Sequence, residues 1–164
     1  MSPAQRRAEA GDDYQVVIAA PGFCLGVQCD EQEIHGIRFL PPGAEVAAGN
    51  ALAAEAARQI RAYLVDSGHV FGLPLRPAGT PFQRRVWEQI AAIPAGRTRS
   101  YGELADELHS APRAVGQACG ANPYPLIVPC HRVLARNGRL GGFAHHHQGF
   151  PLDVKRWLLV HEAG

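Results

Sequence analysis

Residues 80–120 read TPFQRRVWEQIAAIPAGRTRSYGELADELHSAPRAVGQACG, and they decide the fold of the C-terminal half because helix starts can be located within them. In a capping box, a Ser or Thr at the helix N-cap and a Glu or Gln three residues later each bond the other's backbone amide. Thr80 with Gln83 fits this pattern, and so does Ser100 with Glu103. The stretch therefore predicts two helices with defined first residues.

A third helix is expected after Ser110, and it must end by Pro123 because proline disfavours helical conformation in the residue before it. Two short helices joined by a tight turn suggest helix-turn-helix geometry. A final helix is expected over roughly residues 153–162. The residues expected to pack inward from these helices are Phe82, Val86, Ile90, Ile93, Leu104, Ala105, Leu108, Ala114, Val115, Ala118, Trp157, Leu158 and Val160.

The N-terminal half carries a different pattern. Residues 14–20, 22–29 and 34–40 are short β-rich runs separated by turn-forming residues, which predicts a three-stranded antiparallel meander. Asn50 then opens an alanine-rich helix with one apolar face. We expect an α+β protein with an N-terminal αβ lobe at residues 1–78 and a helical C-terminal domain at residues 79–164.

Composition limits the possible classes of protein. The chain has 164 residues, of which 46% are hydrophobic and 19% charged, so it can bury a core. It contains no apolar run of membrane-spanning length and no secretory signal, and its four cysteines are too few for a disulfide scaffold. We expect a soluble, cytoplasmic monomer.

Charge is distributed unevenly along the chain. The net charge is only +1, but residues 1–80 hold 6 Arg and 9 acidic residues, whereas residues 81–164 hold 10 Arg or Lys and 6 acidic residues. The C-terminal half is therefore the better candidate to bind a polyanion such as DNA.

Residues 122–133, NPYPLIVPCHRV, are the most informative for chemistry. Three prolines within seven residues remove amide donors and predict an extended, rigid path that presents Cys130. A free thiol with a pKa near about 8.5 needs a base to become a nucleophile. On an extended segment His131 would face the opposite way, so a bridging water would be required. If only the Cys130-His131 dipeptide is considered, the alternative to a nucleophile with its base is a buried structural cysteine beside a surface histidine.

The pentapeptide at residues 129–133, PCHRV, resembles the active-site signature of the O6-alkylguanine-DNA alkyltransferases, the methylated-DNA--protein-cysteine methyltransferases. The resemblance covers about residues 79–162, with a weaker fit of the N-terminal lobe. Further blocks that match in the family's order are GTPFQ at 79–83, VW at 86–87, IP at 93–94, SYGELA at 100–105, RAVG at 113–116, NP at 122–123 and KRWLL at 155–159.

The resemblance implies a ribonuclease H-like N-terminal lobe and a C-terminal domain with a helix-turn-helix or winged-helix DNA-binding element. It implies direct reversal of DNA damage: Cys130 takes the alkyl group of O6-alkylguanine, chiefly O6-methylguanine and possibly O4-methylthymine, once and irreversibly. His131 would deprotonate Cys130 through a water, and Glu162 would orient His131. This is the logic of a nucleophile, a base and an orienting group.

The resemblance also implies binding of double-stranded DNA through the minor groove, with the damaged base turned out of the helix. Arg113 would enter the base stack in its place. Small residues are then expected on the DNA-facing side of the recognition helix, and those available are Ala111, Ala114, Gly116 and Ala118.

By the same resemblance, Tyr101 would crowd the phosphate next to the damaged base and donate a proton to the departing guanine. Asn122 would support the active-site segment. The base pocket would be formed by Pro125, Val133, Phe143 and Ala144, with the main-chain carbonyls of Cys130 and Val133 accepting the guanine amino group.

Residues 143–151, FAHHHQGFP, depart from the family pattern, which commonly has a tyrosine, a small residue and two glycines there. Bulky histidines there would narrow the pocket, favour small alkyl groups or slow the reaction, and the sequence leaves the size of the alkyl group open. No cofactor is expected, and a structural zinc ion is not expected either, because neither Cys24, Cys29 and His35 nor His145–His147 form a recognisable ligand pattern. Cys119 is expected to be a packing residue.

Three other functions fit parts of the pattern. An alkyltransferase-like lesion sensor would bind the damaged base without repairing it, but such proteins replace the cysteine that is present here. A Cys-His-Glu hydrolase would turn over repeatedly. A transcription regulator would bind undamaged DNA in a sequence-specific way.

Overall fold

The structure is a computed structural model that describes residues 14–141 and 149–164. The chain forms two compact units, Met1–Arg76 and Pro77–Gly164, whereas the sequence placed the division after residue 78. Among the described residues, every helix is too short or too polar to cross a lipid bilayer. Phe143 and Ala144, expected in the base pocket, lie outside the described residues.

The N-terminal unit is built on the predicted antiparallel meander, which is confirmed. Strands β1 (Val16–Ala20), β2 (Phe23–Cys29) and β3 (Ile34–Leu40) lie in the order β1-β2-β3. Val27 in the central strand pairs with Val16 on one side and Ile37 on the other. Nearly every residue of β2 is buried, because this strand has neighbours along both edges and packing across its faces.

Helix α1 (Ala51–Val65) begins where the sequence predicts, because the Asn50 side chain accepts a hydrogen bond from the amide of Ala53 at 2.8 Å. It packs against β1 and β2. The buried face is rich in alanine, and this lets the helix approach the sheet closely around the larger Ile60 and Tyr63. The α+β class expected from the sequence is confirmed.

Four helices build the described part of the C-terminal unit: α2 (Pro81–Ala91), α3 (Tyr101–Glu107), α4 (Pro112–Gly120) and α5 (Phe150–Ala163). Both capping boxes are present, with both reciprocal hydrogen bonds made at Thr80 and at Ser100. Helices α3 and α4 pack against each other, and α2 packs on α4. The predicted pair of short helices joined by a tight turn is therefore formed.

Gly79 precedes α2 in a left-handed conformation, with φ at +88°. A Cβ atom at this position would lie 2.5 Å from the Trp87 ring. The indole N–H of Trp87 in turn donates to the Ala118 carbonyl at 2.8 Å, which joins α2 to α4. A glycine is needed here both for the backbone conformation and for the space that Trp87 occupies.

A two-stranded parallel pairing was not predicted. Strand β4 (Arg99–Ser100) pairs with β5 (Val133–Leu134), so that Arg99 lies opposite Val133 and Ser100 opposite Leu134. Strands of two residues have no periodicity that sequence reasoning can detect. The pairing places the first turn of α3, with Tyr101, beside the segment that carries Cys130.

Two further predictions are wrong. The segment before Cys130 is not extended: the Val128 amide donates to the Tyr124 carbonyl at 2.8 Å, and Leu126 has φ at +77°, so the chain turns compactly. Val160 is 73% exposed rather than buried. The reason is that α5 starts at Phe150, three residues before the predicted start at 153, and its packed face runs instead through Leu152, Lys155 and Leu158.

Replacing Thr80 by Ala should lower the free energy of unfolding by about 1 kcal/mol, because the substitution leaves the amide of Gln83 without its cap. Urea denaturation followed by circular dichroism measures this change. Thr80→Ser keeps the hydroxyl group and should stay close to the parent protein. Equal losses in the two variants would show that the cap hydrogen bond is not the source of the effect.

Candidate active site

Cys130 lies on a single 3₁₀ turn, Cys130–Arg132, immediately before β5. Its side chain is buried, and the residue is 3% exposed. The Asn122 side-chain amide donates to the Val128 carbonyl at 2.9 Å and to the Cys130 sulfur at 3.3 Å. The Asn122 carbonyl oxygen accepts from the Tyr124 amide, so one side chain organises the whole turn around the sulfur.

His131 and Glu162 are 31 residues apart in sequence and meet inside the unit. The His131 Nε2 atom lies 2.8 Å from a Glu162 carboxylate oxygen, and the exposed fractions of the two side chains are 0% and 2%. Because Cys130 and His131 share a 3₁₀ turn rather than an extended strand, the expected opposite orientation of their side chains does not apply.

Arg132 completes this ion pair, and the sequence analysis missed it. Its guanidinium donates to both Glu162 oxygens at 2.8 Å and to the Ile93 carbonyl at 2.6 Å. Such a bidentate pair holds a carboxylate in one orientation. The sequence carries no local signal for this pairing, because Arg132 and Glu162 are 30 residues apart.

The second ring nitrogen of His131, Nδ1, is buried and has no hydrogen-bond partner among residues 14–141 and 149–164. Burial lowers the pKa of His131 below its usual range; the Glu162 carboxylate opposes this shift, while Arg132 and Lys155 add to it. The imidazole is therefore neutral at pH 7. With Nε2 protonated and donating to Glu162, Nδ1 carries a free lone pair that can accept a proton.

The Cys130 thiol is held in its protonated form. A hydrogen bond with the Cys119 thiol, together with burial, raises the pKa of Cys130 well above its ordinary value. The Asn122 hydrogen bond and the charge of Lys155 oppose this shift. A nucleophilic sulfur at this position therefore requires a base that acts during the reaction.

Lys155 is fully buried, which the sequence analysis also missed. Its ammonium group donates to the Val133 carbonyl at 2.8 Å and to the Leu140 carbonyl at 2.5 Å. Burial lowers its pKa to about 8, while the nearby Cys119 and Cys130 sulfurs oppose the shift. Its spacing from Leu152 and Leu158, three residues to either side, is the helical signal that would have placed it on the buried face.

Tyr101 occupies the first turn of α3, where its ring lies 5.8 Å from the Lys155 ammonium group. Burial, and next the neighbouring Cys119 and Cys130, raise the pKa of its phenol well above the usual range. Tyr101 therefore keeps its proton at neutral pH and can donate a hydrogen bond. It also lines an open cleft of about 490 Å³ together with Arg99, Pro112 and Arg136.

The residues expected to face DNA differ in exposure. Arg113 and Ala111 are exposed at the start of α4, and Ala114 and Gly116 are half-buried. Ala118 is 2% exposed and packs inward beside Trp87, so it is not available to a DNA surface. Of the two places that the sequence analysis gave Ala118, inward packing is confirmed and the DNA-facing side is wrong, because the residue lies on the buried face of α4.

Among the expected pocket residues, Val133 is fully buried and Pro125 is half-buried. The two carbonyls expected to receive a guanine amino group each already accept one hydrogen bond: that of Cys130 from the Val133 amide and that of Val133 from Lys155. A carbonyl oxygen has two lone pairs, so each retains room for a second donor.

The N-terminal cysteines lie on β2. The Cys24 thiol donates to the Gly43 carbonyl at 3.5 Å and that of Cys29 to the Asn50 side chain at 3.7 Å. His35 instead joins Asp30 and Glu33, whose potential ligand atoms lie within 4.8 Å of one another.

That trio already has a cation beside it. Arg76 forms ion pairs with Glu33 at 3.0 Å and with Asp30 at 3.8 Å. Its guanidinium also lies 2.7 Å from the ring nitrogen of His35. Both carboxylates therefore share one guanidinium, that of Arg76.

Comparisons with known proteins show what the chain is similar to. The profile of the family "6-O-methylguanine DNA methyltransferase, DNA binding domain" matches residues 81–164. A methylated-DNA--protein-cysteine methyltransferase of Methanosarcina mazei is 36% identical over 154 residues, which are 89% of this chain and 94% of that protein. The relative from Methanosarcina acetivorans is 46% identical over 107 residues, 64% of this chain and 65% of the relative, so the match spans just under two thirds of that protein.

Solved structures are similar as well. The Mycobacterium tuberculosis O6-methylguanine methyltransferase superimposes with a TM-score of 0.74 and 36% identity, covering 90% of this chain and 93% of that one. The M. tuberculosis protein in complex with DNA gives a TM-score of 0.72 at 35% identity, covering 90% of this chain and 91% of that one. With a profile match over the unit that holds Cys130 and a relative aligned along nearly the whole length, the chain belongs to the 6-O-methylguanine DNA methyltransferase family.

Proposed function

We propose that this protein repairs DNA by transferring the alkyl group of O6-alkylguanine, chiefly the methyl group, to Cys130 in one irreversible step. The observation that carries the proposal is a buried His131 that Glu162 holds at 2.8 Å, on the same turn as a buried thiol. Its Nδ1 atom has no hydrogen-bond partner in the part of the chain that the structure describes. This set provides a nucleophile, a base and an orienting carboxylate, and one water between Nδ1 and the sulfur completes the proton path.

The transfer requires no external reactant. His131 accepts the thiol proton, the Cys130 sulfur attacks the alkyl carbon, and the carbon–oxygen bond to guanine O6 breaks as the carbon–sulfur bond forms. Tyr101 donates a proton to the departing base, which leaves as neutral guanine, and the proton that His131 accepted from the thiol replaces the one that Tyr101 gave up. The product is a thioether, so the protein is consumed. Because no electrons are exchanged with a carrier, no cofactor is needed.

The damaged base must leave the duplex to reach a buried sulfur, at a cost of a few kcal/mol. The exposed Arg113 at the start of α4 fills the vacated space, and the small Ala111, Ala114 and Gly116 let the helix enter the minor groove. Pro125 and Val133 line the base pocket. One chain acts on one lesion, in the cytoplasm, where thiols stay reduced.

A lesion-binding protein without transfer activity is the second candidate. This alternative is supported by residues 143–148, which differ from the family pattern because histidines replace the small residues usual there. The presence of Cys130 with its base and carboxylate favours transfer.

Mixing the protein with an O6-methylguanine oligonucleotide should add one methyl group to Cys130, since this is the sulfur beside the base. Intact-protein and peptide mass spectrometry measure the addition. Cys130→Ser should take up none, whereas Cys24→Ser should behave as the parent protein. Restored guanine with an unmodified protein would contradict stoichiometric transfer.

Arg113→Ala should slow methyl transfer from duplex DNA about ten- to hundredfold, because about 1–3 kcal/mol of stabilisation of the extruded base is lost. Single-turnover kinetics with duplex DNA and with free O6-methylguanine separate the two substrates. Transfer from the free base should be unchanged. Arg156→Ala removes another exposed arginine of the same unit and serves as the control. An equal slowing of both substrates by Arg113→Ala would exclude a role in base extrusion.

The single-turnover rate should fall at acid pH with an apparent pKa below about 6.5, the ordinary histidine value, because only neutral His131 accepts a proton. Removing the Arg132 charge raises the His131 pKa, so Arg132→Gln should shift this acid limb to higher pH. Arg132→Lys keeps the charge but loses the bidentate pair, and should lower the rate with a smaller shift.

Rates measured between pH 5 and 9, with circular dichroism to confirm folding, distinguish these variants. Arg156→Gln, on the exposed side of α5, should change neither the rate nor the profile. If folded Arg132→Gln keeps the acid limb of the parent protein, the arginine does not control the protonation of His131.

A further inference from the structure

The buried Lys155 of α5 joins the two ends of one loop. Its ammonium group donates to the Val133 carbonyl at 2.8 Å and to the Leu140 carbonyl at 2.5 Å, and these residues begin and end the 133–140 loop. Two carbonyl oxygens that converge away from water need a donor between them, because an unpaired buried acceptor costs free energy. The ammonium group of Lys155 is that donor.

The far end of the 133–140 loop has few other attachments. Its first two residues form β5 and pair with β4. Beyond them the Ala135 amide donates to the Arg139 carbonyl at 2.7 Å, and the tip is the single 3₁₀ turn Arg136–Gly138. These bonds hold the loop to itself, whereas the bond from Lys155 to Leu140 holds its end to α5.

The 133–140 loop is one wall of the open cleft of about 490 Å³. Residues 98–103, which include Tyr101, form the facing wall. The Lys155 ammonium group lies 5.8 Å from the centre of the Tyr101 ring. Gly141, the next residue after the loop, also packs there, since a Cβ atom on it would lie 3.1 Å from that ring. The shape of the cleft beside Tyr101 therefore depends on where the loop is held.

We propose that Lys155 is a positioning residue, which holds the 133–140 loop as a preformed wall for the DNA strand that carries the extruded base. This rests on the proposed function, because a strand whose base reaches Cys130 must pass the cleft beside Tyr101. The exposed Arg136 and Arg139 give the loop positive charge toward phosphate groups. A wall that is already in place spares the free energy of ordering the loop when DNA binds.

The acceptor turn has anchors of its own. The Asn122 side chain contacts the Cys130 sulfur, and Glu162 holds His131. Neither contact involves Lys155. Loss of the two hydrogen bonds that the lysine donates should therefore weaken the binding of duplex DNA more than it slows the transfer step.

Lys155→Gln and Lys155→Met form a matched pair of variants. Both remove the charge, so any effect of that charge on the Cys130 thiol is common to the two. Gln keeps two N–H donors for the two carbonyls, whereas Met has none. The half-saturating concentration of an O6-methylguanine duplex should be about tenfold higher for Lys155→Met than for Lys155→Gln, because the unpaired carbonyls favour an open loop. Single-turnover kinetics should give the two variants the same maximal rate, and the same rate with free O6-methylguanine.

Hydrogen exchange followed by mass spectrometry measures the loop without any need for alkyl transfer. A peptide that covers residues 134–140 should exchange faster in Lys155→Met than in Lys155→Gln, while peptides from α2 exchange equally. Arg156→Met changes the neighbouring exposed residue of α5 and should match the parent protein in both measurements.

If Lys155→Met does not fold by circular dichroism, Gly141→Ala displaces the same loop and leaves the lysine in place. Its methyl group would lie against the Tyr101 ring and 3.3 Å from the Ala135 side chain, and Gly141 has φ at +66°. It should raise the half-saturating duplex concentration and speed exchange in residues 134–140.

Equal duplex binding and equal loop exchange in folded Lys155→Met and Lys155→Gln would overturn the proposal. So would a lower maximal rate in Lys155→Met with unchanged duplex binding, because the lysine would then act on the transfer step. If the parent protein takes up no methyl group, the proposed function fails, while hydrogen exchange still decides whether Lys155 holds the loop.

Discussion

The Glu162 carboxylate is the group on which the C-terminal unit depends. It is nearly inaccessible to water, and it is shared between His131 and a bidentate Arg132. A buried carboxylate is costly unless it is paired, and removing one partner of such a pair costs about 3–5 kcal/mol. Through this carboxylate the last turn of α5 binds the turn that carries Cys130. Arg132 also donates a hydrogen bond to the Ile93 carbonyl, just after the end of α2. The position of the base follows from an interaction that also holds the fold together.

The same burial sets the resting state of the site. The pKa values of Cys130, His131 and Tyr101 are all shifted toward the neutral forms. For His131 and Tyr101 the main cause is burial, which penalises the charged form, and for Cys130 the hydrogen bond with Cys119 comes before burial. Lys155, whose ammonium group stays hydrogen-bonded to two carbonyls, is the nearby source of positive charge. A thiol that can be alkylated only once should stay protonated, and therefore unreactive, until the substrate binds and the proton can move to His131. The adjacent Cys119 adds to this restraint through its hydrogen bond to the same thiol.

Much of the fold was predictable because it rests on local rules. The capping boxes at Thr80 and Ser100 and the cap at Asn50 depend on residues three positions apart, and the structure forms all three. The antiparallel meander followed from turn residues between short β-rich runs. The errors arose where local rules meet tertiary contacts. Three prolines suggested an extended path, but the Tyr124–Val128 and Asn122–Tyr124 hydrogen bonds close it into turns.

On α4 and α5, too, local sequence rules did not predict which side chains are buried. Val160 is apolar yet exposed, while Lys155 is charged yet buried, because the orientation of α5 is set by Glu162 and by two carbonyls that satisfy the ammonium group. Ala118 was assigned to the DNA-facing side of α4 from its small size, but the Trp87 hydrogen bond shows that this face packs against α2.

By itself, the sequence determined the helix starts and the meander, because each depends on residues close together in the chain, and its PCHRV motif singled out Cys130 through the resemblance to the family. Only the tertiary structure decided which groups surround that sulfur. Asn122 contacts it from the end of α4, and Lys155 acts on it from α5, the helix whose last turn holds the neighbouring His131 through Glu162. Burial, which contributes to the pKa shifts of the site, is a property of the packed unit rather than of any segment.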